Sequence, residues 1–204
     1  MGLFGRPDQR RESVAFDALV VGLGNPGKQY ARSRHNVGEE AVVEIARRHG
    51  GTLRAGRDSA MVDDVRIGTK RVVLAFPLTF MNESGQAVRK VMRRYGFKDV
   101  DALIVIQDEL DLPPGTVRVK KGGGLGGHNG LRSISSHVGT DDYVRVRIGV
   151  GKPQSKERGA AHVLSKVPAT ERQELDRAVI EAADAVEAIL TSGLSAAMNS
   201  FNAK

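Results

Sequence analysis

Apolar residues along the chain fall into two alternating rhythms. Ala18-Leu19-Val20-Val21 and Leu103-Ile104-Val105-Ile106 are short, largely β-branched runs, each ending in a polar cluster, and they predict strands buried on both sides. Val37, Ala41, Val42 and Ile45 recur at helical spacing and predict a helix over 37–49. Ala87, Val88, Val91 and Met92 predict another over 83–95. Residues 61–67, 71–76, 116–120 and 143–150 read as further strands, and 131–137 as a short helix. From Thr170 onward, Leu175, Val179, Ala182, Val186 and Ile189 share one face of a single long helix. Strands alternating with helices predict an α/β fold with a substantially parallel sheet. No repeat, linker or low-complexity tract interrupts 17–204, so one domain is expected there. Residues 1–16 mix Gly, Pro and charge without an apolar period and predict a mobile basic arm.

This order locates the chemistry. Ligands of open α/β sheets bind beyond the carboxyl ends of the strands. Three polar clusters fall at such ends, 22–35, 77–84 and 108–111, and a fourth, 122–129, follows the predicted strand 116–120. Gly22-Leu23-Gly24-Asn25-Pro26-Gly27 has the glycine spacing of a dinucleotide loop. Yet the predicted helix starts only after Lys28–His35, too late for its amides to meet a pyrophosphate. Glu44, near the expected acidic position, sits inside that helix instead of ending a second strand. A structural turn, or a loop gripping another ligand, accounts better for the motif.

Composition narrows the classes. The chain has no cysteine, which removes disulfides, thiolate metal sites and cysteine nucleophiles and suits a reducing cytoplasm. No apolar run approaches the roughly 20 residues of a membrane span, and the first residues lack the apolar stretch of a secretory signal. A formal charge of +7 favours a polyanionic partner, while an aromatic content of 4% argues against a stacking platform for single strands. Arg118 and Lys120 alternate along one strand and Arg145 and Arg147 along another. Each pair shares a face that either tracks a phosphate backbone or simply meets solvent.

Five histidines are candidates for proton transfer. His49 closes a helix beside Arg47 and Arg48 and reads as structural. His137 and His162 have no polar cluster around them. His35 and His128 each precede an asparagine in a loop, Arg34-His35-Asn36 and Gly127-His128-Asn129. His35 and Glu39 lie four apart on one helical face, but no second histidine completes a zinc signature, so no metal is expected. No G-x-S-x-G elbow occurs, and Ser84 reads as a helix start. What remains is a histidine base, a carboxylate to orient it and asparagine amides. Asp108, at the end of an apolar strand, is the best carboxylate. The alternative is that Asp108, Glu109 and Asp111 only punctuate a turn before Pro113-Pro114.

Read in order, these clusters closely resemble the bacterial peptidyl-tRNA hydrolase family. The residues that carry the resemblance are Gly22–Gly27 with Tyr30, Arg34-His35-Asn36, Pro77–Gly85, Asp108–Pro113, Gly126–Leu131 and Arg145–Gly149. The resemblance implies a single-domain mixed sheet, largely parallel and twisted, surrounded by helices, in a cytoplasmic monomer of translation and ribosome rescue that needs no cofactor or metal. His35 would activate water and Asp108 would hold it in its active form. Asn25 would help distinguish blocked from free aminoacyl groups. Tyr30, Phe80, Asn82 and Asn129 would contact substrate near the scissile ester, with His128 supporting that site. Arg118, Lys120 and Arg147 would grip phosphates of peptidyl-tRNA, whose acceptor arm and terminal nucleotide are the expected partner. Gln107, where relatives often have histidine, and Leu125, within the glycine loop, depart from the family pattern.

Overall fold

The structure, a computed structural model, describes residues 15–153, 155 and 158–203. Its strands are β1 (Ala18–Gly22), β2 (Arg54–Ala55), β3 (Ala60–Ile67), β4 (Lys70–Pro77), β5 (Leu103–Glu109), β6 (Val117–Lys121) and β7 (Val144–Gly149). They form one sheet in the order β2-β3-β4-β1-β5-β7-β6. β1 pairs in parallel with β4 and β5, and β5 with β7, whereas the β2–β3, β3–β4 and β6–β7 pairs are antiparallel. The expected α/β architecture, one domain on a mixed and mostly parallel sheet, is present.

The helices are α1 (Val37–Arg48), α2 (Ser84–Tyr95), α3 (Asn129–Val138), α4 (Gly159–Leu164), α5 (Ala169–Ser192) and α6 (Leu194–Asn202). α1, α5 and α6 cover one face of the sheet, over Val20, Ile104, Ile106 and Val146. α2 and α3 cover the other, over Leu19, Val21, Val105 and Tyr143. Covering both faces is why the central strands read as continuous apolar runs with no alternation. No described helix is long and apolar enough to cross a membrane.

One contact sets the geometry of the site. β1 ends against the start of α1 so closely that a Cβ on Gly22 would lie 2.1 Å from the Gly38 carbonyl oxygen. A Cβ on Gly38 would lie 2.3 Å from the carbonyl oxygen of Ile106 in β5. Two glycines thus let α1 rest directly on the ends of β1 and β5. Residues just before α1 are thereby held over the end of β5. The first glycine of the dinucleotide-like motif serves this backbone contact.

Several boundaries differ from expectation, each for a local reason. β5 continues past Ile106, because Gln107, Asp108 and Glu109 stay in register with Arg147, Ile148 and Gly149 of β7. Asp108 therefore sits on a strand and does not merely punctuate a turn. α3 begins before Leu131 because the His128 side chain accepts hydrogen bonds from the Gly130 and Leu131 amides and caps it. The single long C-terminal helix is two, α5 and α6, parted at Gly193 with φ of 90°. β2 and α4 escaped the sequence reading because β2 is wholly exposed and α4 buries only Val163, so neither has an apolar period. Residues 1–14, most of the expected arm, lie outside the described residues. Phe16, at the end of that segment, packs edge-on against Tyr95 with centroids 5.2 Å apart, and the Arg71 guanidinium lies 4.3 Å above its ring.

Candidate active site

β1, β4 and β5 run in the same direction, so the polar segments that follow them converge at one edge of the sheet. His35 lies there in a 3-10 turn, Arg34–Asn36, immediately before α1. Its Nδ1 is 2.8 Å from Oδ1 of Asp108, and Nε2 of His128 is 2.9 Å from the same oxygen. The two imidazoles sit with centroids 5.0 Å apart. The sequence reading paired His35 with Asp108; that His128 shares the same carboxylate oxygen was not foreseen.

Hydrogen-bond accounting assigns the protons. Nδ1 of His128 accepts from the amides of Gly130 (3.1 Å) and Leu131 (3.4 Å), so it carries a lone pair and Nε2 carries the hydrogen. His128 is thereby a donor to Asp108. A carboxylate facing Nδ1 of His35 likewise draws that hydrogen, which leaves Nε2 of His35 as a bare lone pair. Burial opposes ionisation of Asp108, but the two imidazoles outweigh it and hold the carboxyl well below the usual carboxylate range. Burial also lowers the pKa of His35, yet the Asp108 charge and hydrogen bond prevail and raise it above the ordinary 6.5.

His35, Asp108 and His128 bring three potential metal-ligating atoms within 4.8 Å of one another. The α3 cap argues against coordination, because the nitrogen of His128 that faces the trio is the protonated one. Glu39, the other ligand considered for His35, is engaged elsewhere: its Oε2 accepts from Nδ2 of Asn36 at 2.6 Å.

His35 opens onto a cleft of about 520 Å³ lined by Asn25, Tyr30, Phe80, Asn82 and Asn129. A smaller pocket of about 200 Å³ surrounds His35, Asp108 and His128 and shares His35 and Asn129 with the larger one. Asn25 is held in three ways. Its backbone N–H donates to Oδ1 of Asn36 (3.0 Å), its carbonyl accepts from Nδ2 of Asn36 (2.9 Å), and its side-chain Oδ1 accepts from the Met81 amide (2.8 Å). With Oδ1 taken, the amide Nδ2 is what Asn25 has left to offer a ligand. Asn36, buried beside His35, was not singled out from sequence; its signal was adjacency to His35 alone. Phe80 is 54% exposed and Asn82 is also exposed, so both stand open at the rim. The far wall includes Ala160 and Val163 of α4. Arg34 ties that wall to the turn that carries His35 by donating to the His162 carbonyl, Ser165 and Glu171.

The two basic rows need correction. Register places Arg118 opposite Arg147 and Lys120 opposite Arg145, on the α3 side of the sheet. Arg145, however, is 1% exposed and donates to the carbonyls of Gly123, Gly124 and Asp141. It is an internal brace of the glycine loop and is unavailable to a phosphate. Arg118 donates to the Phe201 carbonyl at the end of α6 (2.8 Å). Lys120 and Arg147 stay half-buried on this face. Burial and the neighbouring Arg147 and Arg145 lower the pKa of Lys120. Leu125 reaches from the glycine loop to the apolar cluster beneath α2 and α3. The departure at Leu125 is thus an anchor for the loop. Gln107 is buried, and its Oε1 has no hydrogen-bond partner among the described residues.

Comparison with known proteins places the chain among relatives. The sequence pattern of a family described as peptidyl-tRNA hydrolase matches residues 19–204. The peptidyl-tRNA hydrolase of Rhodococcus erythropolis is 50% identical over 185 residues, covering 89% of this chain and 96% of its own. That of Kineococcus radiotolerans is 46% identical over 192 residues, covering 91% and 96%. The crystal structure of peptidyl-tRNA hydrolase from Acinetobacter baumannii superposes with a TM-score of 0.86 at 41% identity, covering 91% of this chain and 94% of that one. A match of this extent, in sequence and in fold, places the chain in the peptidyl-tRNA hydrolase family.

Proposed function

We propose that the chain hydrolyses the ester joining a peptide to the terminal ribose of tRNA, with His35 as general base. The observation that carries this reading is the 2.8 Å contact from Nδ1 of His35 to Asp108, which leaves Nε2 as the basic nitrogen facing the cleft. Nε2 takes a proton from water as the oxygen adds to the ester carbonyl. Asp108 stabilises the imidazolium that forms. The tetrahedral oxyanion is met by asparagine amide donors, Asn25, Asn82 and Asn129 being the ones at hand. On collapse the C–O bond to ribose breaks, and the departing hydroxyl recovers the proton from Nε2. Every step is a proton transfer or an acyl transfer, and none calls for a cofactor.

Tyr30 and Phe80 contact the substrate near the ester, and His128 fixes Asp108 from the other side. The Asn25 amide favours a peptidyl group, whose first nitrogen is a neutral amide, over the ammonium of a free aminoacyl group. Arg118, Lys120 and Arg147 meet phosphates of the acceptor arm. The protein acts as a cytoplasmic monomer that returns stalled tRNA to translation.

The test is release of the acyl group from N-acylated and from free aminoacyl-tRNA, with a chelator present. The acylated substrate alone is cleaved, and chelation changes nothing. His35→Ala lowers kcat by about 10²–10⁴-fold while tRNA binding persists. Normal turnover in that variant overturns the assignment; tRNA binding without any hydrolysis by the parent protein turns it toward a non-catalytic RNA-binding module.

A further inference from the structure

The helices on the two faces of the sheet differ sharply in charge. α1, α5 and α6 carry nine carboxylates against four arginines. α2 and α3 carry Arg89, Lys90, Arg93, Arg94 and Arg132 and no carboxylate. Arg94 pairs with Asp58 at 2.9 Å. Arg89, Lys90, Arg93 and Arg132 are exposed, and among the described residues no carboxylate lies within salt-bridge distance of them.

Their placement is continuous with the cleft. Arg132, on α3, lines the cleft beside Asn82 and Asn129. α2 starts one residue after Glu83, at the same rim, and runs away from it for 12 residues, about 18 Å. Arg89 and Arg93 are four apart, and Lys90 and Arg93 three apart, so the three form one outward stripe. Arg89 donates to the His137 carbonyl, which joins the stripe to the C-terminal end of α3. Lys120 and Arg147 lie on this same side of the sheet, with Arg147 3.7 Å from Glu109.

Four exposed cations that no described carboxylate pairs, on helices whose buried faces already pack on the core, form a surface for a polyanion. The opposite face would repel one. Resting on the reading above, we infer that the exposed face of α2, continued by Arg132, seats the phosphate backbone of the duplex part of the tRNA while its terminal nucleotide lies at His35. The contacts go to phosphates, so they position the substrate and carry no sequence preference.

The test compares the parent with the double variant Lys90→Glu/Arg93→Glu on two substrates: an N-acylated aminoacyl-tRNA, and the same acyl group on a terminal trinucleotide that lacks a duplex. For the whole tRNA, KM rises about tenfold with kcat unchanged, and the slope of log(kcat/KM) against log salt becomes shallower by about 1 per cation removed. For the trinucleotide ester, kinetics match the parent. Arg177→Glu on α5 serves as a control for net charge and leaves both substrates unaffected. Unchanged KM and salt slope on whole tRNA overturn the inference, as does an equal loss on both substrates. Uncharged tRNA binding is measured in parallel. If the parent cleaves neither substrate, the functional reading has failed, and the salt slope of binding by parent and variant still decides whether the α2 face meets RNA.

Discussion

His35 and Asp108 lie 73 positions apart in the chain, and the contact between them fixes more than proximity. Because Asp108 sits within a buried strand and is held ionised by two imidazoles, it stays charged across the working range, and the titration that matters is that of His35. In the proposed role of general base, His35 works only when neutral. Since the Asp108 charge raises its pKa above 6.5 against the opposing effect of burial, kcat/KM falls as pH drops through that raised value and levels off above it. In Asp108→Asn the charge is gone and burial remains. The acid limb then moves to lower pH, and the plateau drops by about 10²–10⁴-fold as the imidazole loses its fixed tautomer. An acid limb that stays in place, read from a pH–rate profile, would contradict the role given to Asp108. His128→Ala removes both the cap of α3 and a hydrogen bond to Asp108. A loss of about 1 kcal/mol in stability is expected for the cap alone, visible in chemical denaturation.

At the scale of elements, the approach of α1 to the strand ends determines whether those residues meet. Gly22→Ala drives a methyl group onto the backbone carbonyl of Gly38, 2.1 Å away, and within 2.7 Å of a Val42 methyl, so the side chain cannot relieve the clash without a backbone shift. The expected cost is about 3 kcal/mol, which for a domain of this size lowers Tm by roughly 6–12 °C; a thermal melt within 2 °C of the parent would show that the helix can shift aside. Such contacts explain what could be read from sequence. β1, β5 and α2 were legible because burial on two faces, or on one helical stripe, writes itself as an apolar run or period. β2 and α4 bury almost nothing and leave no such record. Within the site, His35, His128 and Asp108 stood out as polar residues at strand ends or in glycine loops. Asn36 did not, because its work is to clamp the backbone of Asn25, a partner defined only once the turn has formed. Arg145 looked like a surface cation because alternation places it on the same face as Arg147; the glycine loop that folds over it is what makes it internal.

Seen whole, the molecule is a sheet with an acidic helical layer on one side and a basic one on the other, and the edge that carries His35 lies between them. A ligand drawn in by charge arrives on the α2–α3 side and reaches His35 at the rim. Attraction of this kind is screened within about 8 Å at physiological salt. For the parent protein, raising salt from low to physiological therefore reduces kcat/KM on whole tRNA steeply and leaves kcat nearly constant. Stopped-flow or initial-rate measurements across a salt series check this. A flat response would mean that the basic layer contributes nothing to capture.

Arg145 carries a further consequence for how the enzyme opens. Swinging the 122–127 segment outward would strip a buried guanidinium of two of its three carbonyl acceptors, those of Gly123 and Gly124, a cost of several kcal/mol. The glycines there give the chain a tight path and not a hinge, and Leu125 nails the same stretch to the core. One jaw of the cleft is therefore fixed. The opposing jaw is the six-residue α4, which buries only Val163, so any widening of the cleft is expected on that side.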